Sequence, residues 1–362
     1  MATPLPNPEV LAYVVDSHCH PTDNPVPDAE LEALKITVCS MATRLEDQAR
    51  VRDLATRWPG KVHPCFGWHP WFSHQISIAN PPPAKRDHYT SILLSDSPSA
   101  ADTEILDQIL PDLPDPFSLS DILSELRQNL SSFPAALLGE VGIDRALRIP
   151  VKPYPAATPS KLTPFYVPHE HQSVILERQI ELAIEMKRSV SVHSVKSQQL
   201  TMELLKRLKD KHGAAFGAIN LDLHSCGFSP EMCKEVQKLY PNVFISLSIA
   251  INGRSTGHEA VIKACDPERL LAESDMNNIS KCTENIWNMV SMIAALRGWT
   301  VETGASQVMD DSLSKEQWGV VKRLYQNWKR FIGPGLGLAE PKDSRKARKL
   351  NEPAAQGGWE SD

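Results

Sequence analysis

Eight short apolar runs recur along the chain, at Tyr13–Val15, Ile36–Cys39, Val62–Phe66, Ala136–Leu138, Val190–Val192, Ala218–Leu223, Val243–Leu247 and Arg269–Leu271. Each is too short for a helix and is ended by polar or turn-forming residues, so each reads as a strand. Helical patterns lie between several of them. Leu176, Ile180 and Ala183/Ile184 recur at 3–4 spacing, as do Met232, Val236 and Leu239 behind a Ser229 cap with Pro230 in the first turn. Strands alternating with amphipathic helices imply a parallel sheet with helices outside. Eight such units predict a TIM (β/α)8 barrel, an α/β fold. An open doubly wound sheet is the alternative, but no GxGxxG turn follows the first run.

A minimal barrel needs about 250 residues, and this chain has 362. The surplus is visible. Ser91–Ala135 carries eight acids and one base; Arg145–His169 carries six prolines, four basic residues and no acid; Asn277–Gln317 is polar with a weak helical pattern. The expected organisation is one barrel domain over residues 1–335 with insertions near 75–135, 145–170 and 277–317. A charged, flexible tail then occupies 336–362, with a basic cluster at Arg345, Lys346, Arg348 and Lys349. Formal net charge is −6, so the chain is no general nucleic-acid sponge and any phosphate binding must be local. Seven scattered cysteines without a CxxC pair fit reduced thiols in cytoplasm or nucleus. No run is long enough to span a bilayer, and the N-terminus does not read as a secretory signal.

The residues just beyond the strands carry the chemistry. Asp16-Ser17-His18-Cys19-His20 comes after the first, Gly67-Trp68-His69-Pro70 after the third, and Gly139-Glu140-Val141-Gly142-Ile143-Asp144 after the fourth. The fifth runs into His193, the sixth into His224 and the eighth into Glu273-Ser274-Asp275. Two His at i and i+2 on extended chain face the same side and can share one ion. A Glu directly after an apolar strand is costly to bury without a cation. In a barrel all of these lie at the C-terminal face, where active sites sit. Imidazoles and carboxylates are ligand types for Zn²⁺ or Mn²⁺, and carboxylates also suit Mg²⁺. His18, His20, Glu140, His193, His224 and Asp275 therefore predict a metal site. The remaining His residues, His63, His74, His88, His212 and His258, read as solvated, as does the His169-Glu170-His171 pair in its Pro-rich loop. Trp68 and Trp71 flank His69-Pro70 and are candidates to contact substrate.

With those motifs in order, the chain resembles the TatD family of metal-dependent hydrolases, and its insertions and extended C-terminus resemble the divergent fungal branch. The matching segments are DSHCH (16–20), GWHP (67–70), GEVGID (139–144), VHS (192–194), the His224 segment and ESD (273–275). The resemblance implies a TIM barrel, two divalent ions (Mg, Mn or Zn) and deoxyribonuclease activity. It implies that His18, His20 and Asp275 hold the first ion, that Glu140 bridges, and that His193 and His224 complete the second. His69 would lie near the scissile group and Glu273 would support the ligands. Two departures bear on substrate. The Arg commonly found two residues after the strand-5 His is Val195 here, with Lys196 next, and the aromatic usual after GE-x-G-x-D is Arg145. Arg145 and Lys196 are the expected substitute cations for substrate binding.

The leading reading is phosphodiester hydrolysis, with DNA or another phosphodiester as substrate, Asp275 taking the proton of the attacking water and His69 meeting phosphoryl or leaving-group oxygens. A second is a deacylase cleaving an amide or ester at the same metals. A third is a catalytically weak protein that binds a protein partner through its insertions or tail.

Overall fold

The computed structural model describes residues 4–152, 161–253 and 257–337. Eight strands form one sheet in chain order, every neighbouring pair parallel: β1 (Val15–Cys19), β2 (Thr37–Met41), β3 (Val62–Phe66), β4 (Leu137–Asp144), β5 (Val190–Val195), β6 (Leu221–Leu223), β7 (Val243–Leu247) and β8 (Leu270–Ala272). The chain beyond β8 returns to β1. The Asp275 N–H donates to the His18 carbonyl at 3.0 Å, and the His20 N–H donates to the Met276 carbonyl at 2.8 Å. Those bonds draw the two edges together into the expected barrel. They also place the ends of β1 and β8, with their His and Asp side chains, side by side.

The strands run further into the motifs than the apolar runs suggest. β1 extends through His18, and β4 extends through all of Gly139–Asp144, with all eight of its residues buried. A barrel strand is covered on one face by helices and on the other by the interior, so the polar residues there are also enclosed. Gly142 shows how tightly β4 and β5 approach. A Cβ built on it would lie 2.1 Å from the His193 carbonyl oxygen, so only glycine fits beside the strand that carries His193.

The interior is filled by Cys39, Met41, Cys65, Leu137, Phe244 and Leu271, and Trp328 and Phe331 of the helix Val320–Ile332 pack against them. That helix sits at the N-terminal end of the strands. Ser189 and Asn220, which precede β5 and β6, both donate to the Phe331 carbonyl, at 2.6 and 3.0 Å. With that end stoppered, the polar strand ends open at the opposite mouth.

The helix His169–Met186 buries Leu176, Ile180, Ala183 and Ile184, as the spacing predicts. The helix Pro230–Leu239 begins where expected, with Ser229 Oγ accepting from the Met232 N–H at 3.2 Å, but its buried face is Cys233, Val236 and Gln237. Leu239 is exposed, because the face is set by Cys233 rather than by its larger neighbour Met232. The polar reading of Asn277–Gln317 is corrected over much of its length. Ile279–Arg297 is a 19-residue helix burying Ile279, Cys282, Ile286, Met289, Val290 and Ile293 at helical spacing.

The stretch between β3 and β4 folds into the helices Lys85–Leu93, Ala100–Ile109 and Leu119–Ser132, the last two within the acidic segment Ser91–Ala135. Tyr89, Leu93, Leu106, Ile109 and Leu113 from this stretch share a separate core with Ile149, Phe165 and Val167. The two long excursions therefore pack on one another. The basic cluster near the C-terminus lies outside the described residues. No helix among the described residues is long and apolar enough to cross a membrane.

Candidate metal centre

Glu140 is 2% exposed and stands at the centre of five imidazoles. Its two oxygens divide them. Oε2 lies 3.3 Å from His18 Nε2 and 3.2 Å from His20 Nε2. Asp275 Oδ1 joins that side, 3.4 Å from His20 Nε2 and 3.9 Å from His18 Nε2. Oε1 lies 2.6 Å from His224 Nε2, 2.8 Å from His193 Nδ1 and 3.2 Å from His69 Nε2. The structure thus brings together every residue expected as a ligand, and His69 with them.

The contacts around the imidazoles indicate where each ring proton sits. Asp144 Oδ2 lies 3.2 Å from His193 Nε2, and a carboxylate there requires an N–H, which leaves the Nδ1 lone pair facing Glu140. Glu273 Oε1, 3.6 Å from His224 Nδ1, favours the same arrangement and leaves Nε2 inward. His18 Nδ1 meets Ser191 Oγ at 2.9 Å. His69 is different. Its Nδ1 accepts the Trp71 backbone N–H at 3.1 Å, so the ring proton belongs on Nε2, which points inward as a donor.

A cation set fits this cluster. His18 and His20 present Nε2 atoms 3.2 Å apart, and His193 Nδ1 and His224 Nε2 are also 3.2 Å apart. Facing imidazole nitrogens repel unless a proton or a metal ion lies between them. Among the described residues, His18, His20 and Glu140 gather their donor atoms within ion-binding reach. Hard or borderline divalent ions match such mixed N/O donors.

Electrostatics point the same way. Burial alone would push the Glu140 carboxyl up, but His69, His224 and His18 hold it well below the usual carboxylate range. Burial opposes ionisation of Asp275 too, and His20 with its neighbours outweighs it and draws the pKa down. Burial lowers His69 to about 4, so that ring is neutral at physiological pH. Behind the donors, burial raises Asp16 and Asp222 to about 7. Ser246 Oγ ties this layer together, lying 2.7 Å from Asp222 Oδ2 and 2.6 Å from Glu273 Oε2. Asp16 accepts the Ser274 N–H at 2.8 Å, anchoring the chain next to Asp275.

The donors open into a cavity of about 560 Å³ walled by Asp23, Thr43, Arg44, Trp71, Phe72, Asp144, Ser194, Val195, Ser225, Ile251 and Asn277. Arg145 and Lys196 are not among its lining. Both are exposed outside it, with Arg145 Nη1 3.5 Å from the Lys196 carbonyl. Trp68 is buried in the core, whereas Trp71 lines the cavity, is 41% exposed, and donates from Nε1 to Asp144 Oδ2 at 2.7 Å. The reading of the other His residues as solvated is corrected. His74, His88 and His258 are buried, and His63 lies within β3 with its ring edge-on to Trp328. His171 Nε2 is also engaged, 3.0 Å from the Ser73 carbonyl.

Two cavity residues escaped sequence reasoning. Asp144 ends the GEVGID segment and orients His193; a carboxylate at a strand end was its available signal. Arg44 lies just beyond β2, whose end carried no His or carboxylate to draw attention to it.

Comparisons with known proteins agree with this geometry. The family model described as TatD related DNase matches residues 15–314, a span that contains every donor above. The Cut9-interacting protein scn1 of Schizosaccharomyces pombe is 32% identical over 336 residues, covering 83% of this chain and 97% of that protein. A Saccharomyces cerevisiae protein described as an uncharacterized deoxyribonuclease, YMR262W, is 25% identical over 339 residues, covering 88% of this chain and 99% of that one. Among solved structures, the TatD homolog YJJV from Escherichia coli superposes with a TM-score of 0.56 at 17% identity, covering 89% of this chain and 98% of that one. At that identity the likeness speaks to the fold.

Proposed function

The chain belongs to the family of TatD-related DNases, and from that premise we propose that it hydrolyses phosphodiester bonds of DNA at the Glu140 centre. The observation that carries this reading is the division of Glu140, one oxygen facing His18 and His20, which Asp275 also approaches, and the other facing His193 and His224. On this reading His18, His20 and Asp275 would hold one divalent ion and His193 and His224 a second, with Glu140 contributing to both. Such ions, Mg²⁺, Mn²⁺ or Zn²⁺, would supply an activated water and charge neutralisation for the phosphoryl group when bound.

The remaining work falls to the chain itself. Asp275, ionised at neutral pH, orients the attacking water and accepts its proton. His69, neutral and carrying its proton on Nε2, donates a hydrogen bond to a phosphoryl or leaving-group oxygen. Asp144 holds His193 in register and fixes the Trp71 ring on the cavity wall.

The test is a substrate panel with each ion in turn: single-stranded DNA, a chromogenic phosphodiester, and matching N-acyl and carboxyl-ester compounds. Phosphodiester turnover that Glu140→Gln abolishes is expected. Turnover of amides or esters alone would replace this reading with a deacylase. A protein partner is a second reading, motivated by the name of the fission-yeast relative, Cut9-interacting protein. The two packed excursions and the tail would be its contact surfaces, and pull-down with each deleted separately tests that.

A further inference from the structure

The cavity in front of the donors changes character toward solvent. Glu140, His69 and His224 line it and are each at most 5% exposed. Among the described residues of its lining, the exposed ones are Trp71, Ile251 and Asn277, and none of them is charged. A substrate held at the donors through its phosphate therefore leaves the cavity past apolar and amide groups rather than past cations. In a nucleic-acid chain the part that suits such a surface is the base, not the sugar–phosphate backbone.

Trp71 is fixed where that contact would be made. It follows His69-Pro70 in the turn Pro70–Gln75, and its backbone N–H donates to His69 Nδ1 at 3.1 Å. The indole stands at 85° to the His69 ring with centroids 5.0 Å apart. Its Nε1 donates to Asp144 Oδ2 at 2.7 Å, and the same oxygen faces His193 Nε2 at 3.2 Å. The ring thus touches one residue of the centre and shares a carboxylate with another. With its N–H committed to Asp144, the indole offers the cavity apolar π surface. It is 41% exposed although it is held at both its backbone and its polar edge. An aromatic ring so held loses little freedom when a flat group stacks on it. Trp68 of the same motif makes the contrast: it is 2% exposed, with its ring 5.3 Å from that of Phe117, and has no such surface to offer.

We propose that Trp71 is the stacking platform for the nucleobase that adjoins the scissile phosphate, with Ile251 the further apolar contact on the cavity wall. This rests on the phosphodiesterase reading above. Stacking reads no base edge, so the site takes any base in that position.

The probes are deoxyadenosine 3′-monophosphate and 5′-monophosphate, which cover both chain directions, and 2-deoxyribose 5-phosphate as the control without a base. Each is titrated calorimetrically into Mn²⁺-loaded protein. Wild type is expected to bind the better nucleotide about ten- to a hundred-fold more tightly than the control. Trp71→Ala should reduce that ratio to about threefold or less, Trp71→Phe should keep most of it, and Trp71→Leu, apolar but without a ring, should lose most of it. All three probes carry the phosphate, so damage relayed through Asp144 and His193 to the ions weakens them alike and cancels in the ratio. A Trp71 that only braced Asp144 would leave the ratio unchanged in every variant. Should Trp71→Ala fail to fold, Trp71→Phe against Trp71→Leu decides. An unchanged ratio in the folded variants, or a wild type that binds neither nucleotide more tightly than the control, overturns the assignment. Turnover separates the two claims. A ratio that depends on Trp71 in a protein that cleaves no phosphodiester refutes only the function; cleavage with a ratio indifferent to Trp71 refutes only this inference.

Discussion

Asp144→Asn is a one-atom change that reaches the metal centre through His193. All four polar contacts of the carboxylate involve groups that donate to it. Oδ1 accepts from the Ala146 and Leu147 N–H groups at 2.7 and 3.0 Å, and Oδ2 accepts from Trp71 Nε1 at 2.7 Å and faces His193 Nε2 at 3.2 Å. An asparagine can turn its NH2 toward either pair, and in both orientations it presents donors to donors. The backbone pair is the more rigid, so the amide should settle with NH2 toward Trp71 and His193. His193 would then relieve the conflict by moving its proton to Nδ1, the atom that faces Glu140 Oε1 at 2.8 Å. Loss of a partner behind a metal-bound imidazole weakens metal binding about 10–100-fold. The expected result is selective: the ion at His193 and His224 binds that much more weakly, while the one at His18, His20 and Asp275 is unchanged. Calorimetric titration of metal-free protein with Mn²⁺ or Zn²⁺ resolves the two. Wild-type affinity at both positions, in a folded variant, would show that Asp144 does not control the tautomer.

Other consequences can be measured separately. His63 is lowered to about 4 by burial from a free value of 6.5, so the unfolded chain binds more protons than the folded one between those values. The contribution of His63 is therefore present above pH 6.5 and is lost toward pH 4, on the order of 2–3 kcal/mol; His63→Gln should lose that part of the pH dependence in urea titrations at pH 7 and 5, and an unchanged difference between the two pH values would count against it. Gly142→Ala places a methyl 2.1 Å from the His193 carbonyl oxygen and should cost about 1–3 kcal/mol by the same denaturation. Stability equal to wild type would mean that β4 and β5 can part without cost. Chelation should remove all turnover and lower stability, by about 3 kcal/mol for each ion position and so about 5 kcal/mol for two, relative to protein given ions at a hundredfold their Kd. A melting temperature indifferent to chelator and added ions would show that the buried donors do not need them.

The barrel and its ligands were legible because both obey simple rules. Parallel strands buried on two faces are apolar almost throughout, and a His or carboxylate directly beyond such a run is conspicuous. Glu140 was visible for that reason. The buried stripe of the helix Ile279–Arg297 is interrupted by Cys282, Trp287 and Met289 among its isoleucines, valine and alanine, and Ser, Asn and Lys crowd the same segment, which masks the period in the sequence. His74 and His88 were misread because position in a loop suggests solvent. His88 instead lies in the helix Lys85–Leu93, with its Nε2 2.9 Å from the carbonyl of the buried His74. Arg145 and Lys196 come just after the ends of β4 and β5, as a cavity residue would. Sequence position does not say whether a side chain reaches the cavity, and both are exposed residues that do not line it.

The central claim is that one buried carboxylate joins two cation positions. Elemental mass spectrometry of wild type and Glu140→Gln, both equilibrated with excess Mn²⁺ or Zn²⁺ and then desalted, tests it most directly. About two equivalents in wild type and no more than one in the variant are predicted. Two equivalents retained by the variant, or one or none in wild type under those conditions, would contradict it.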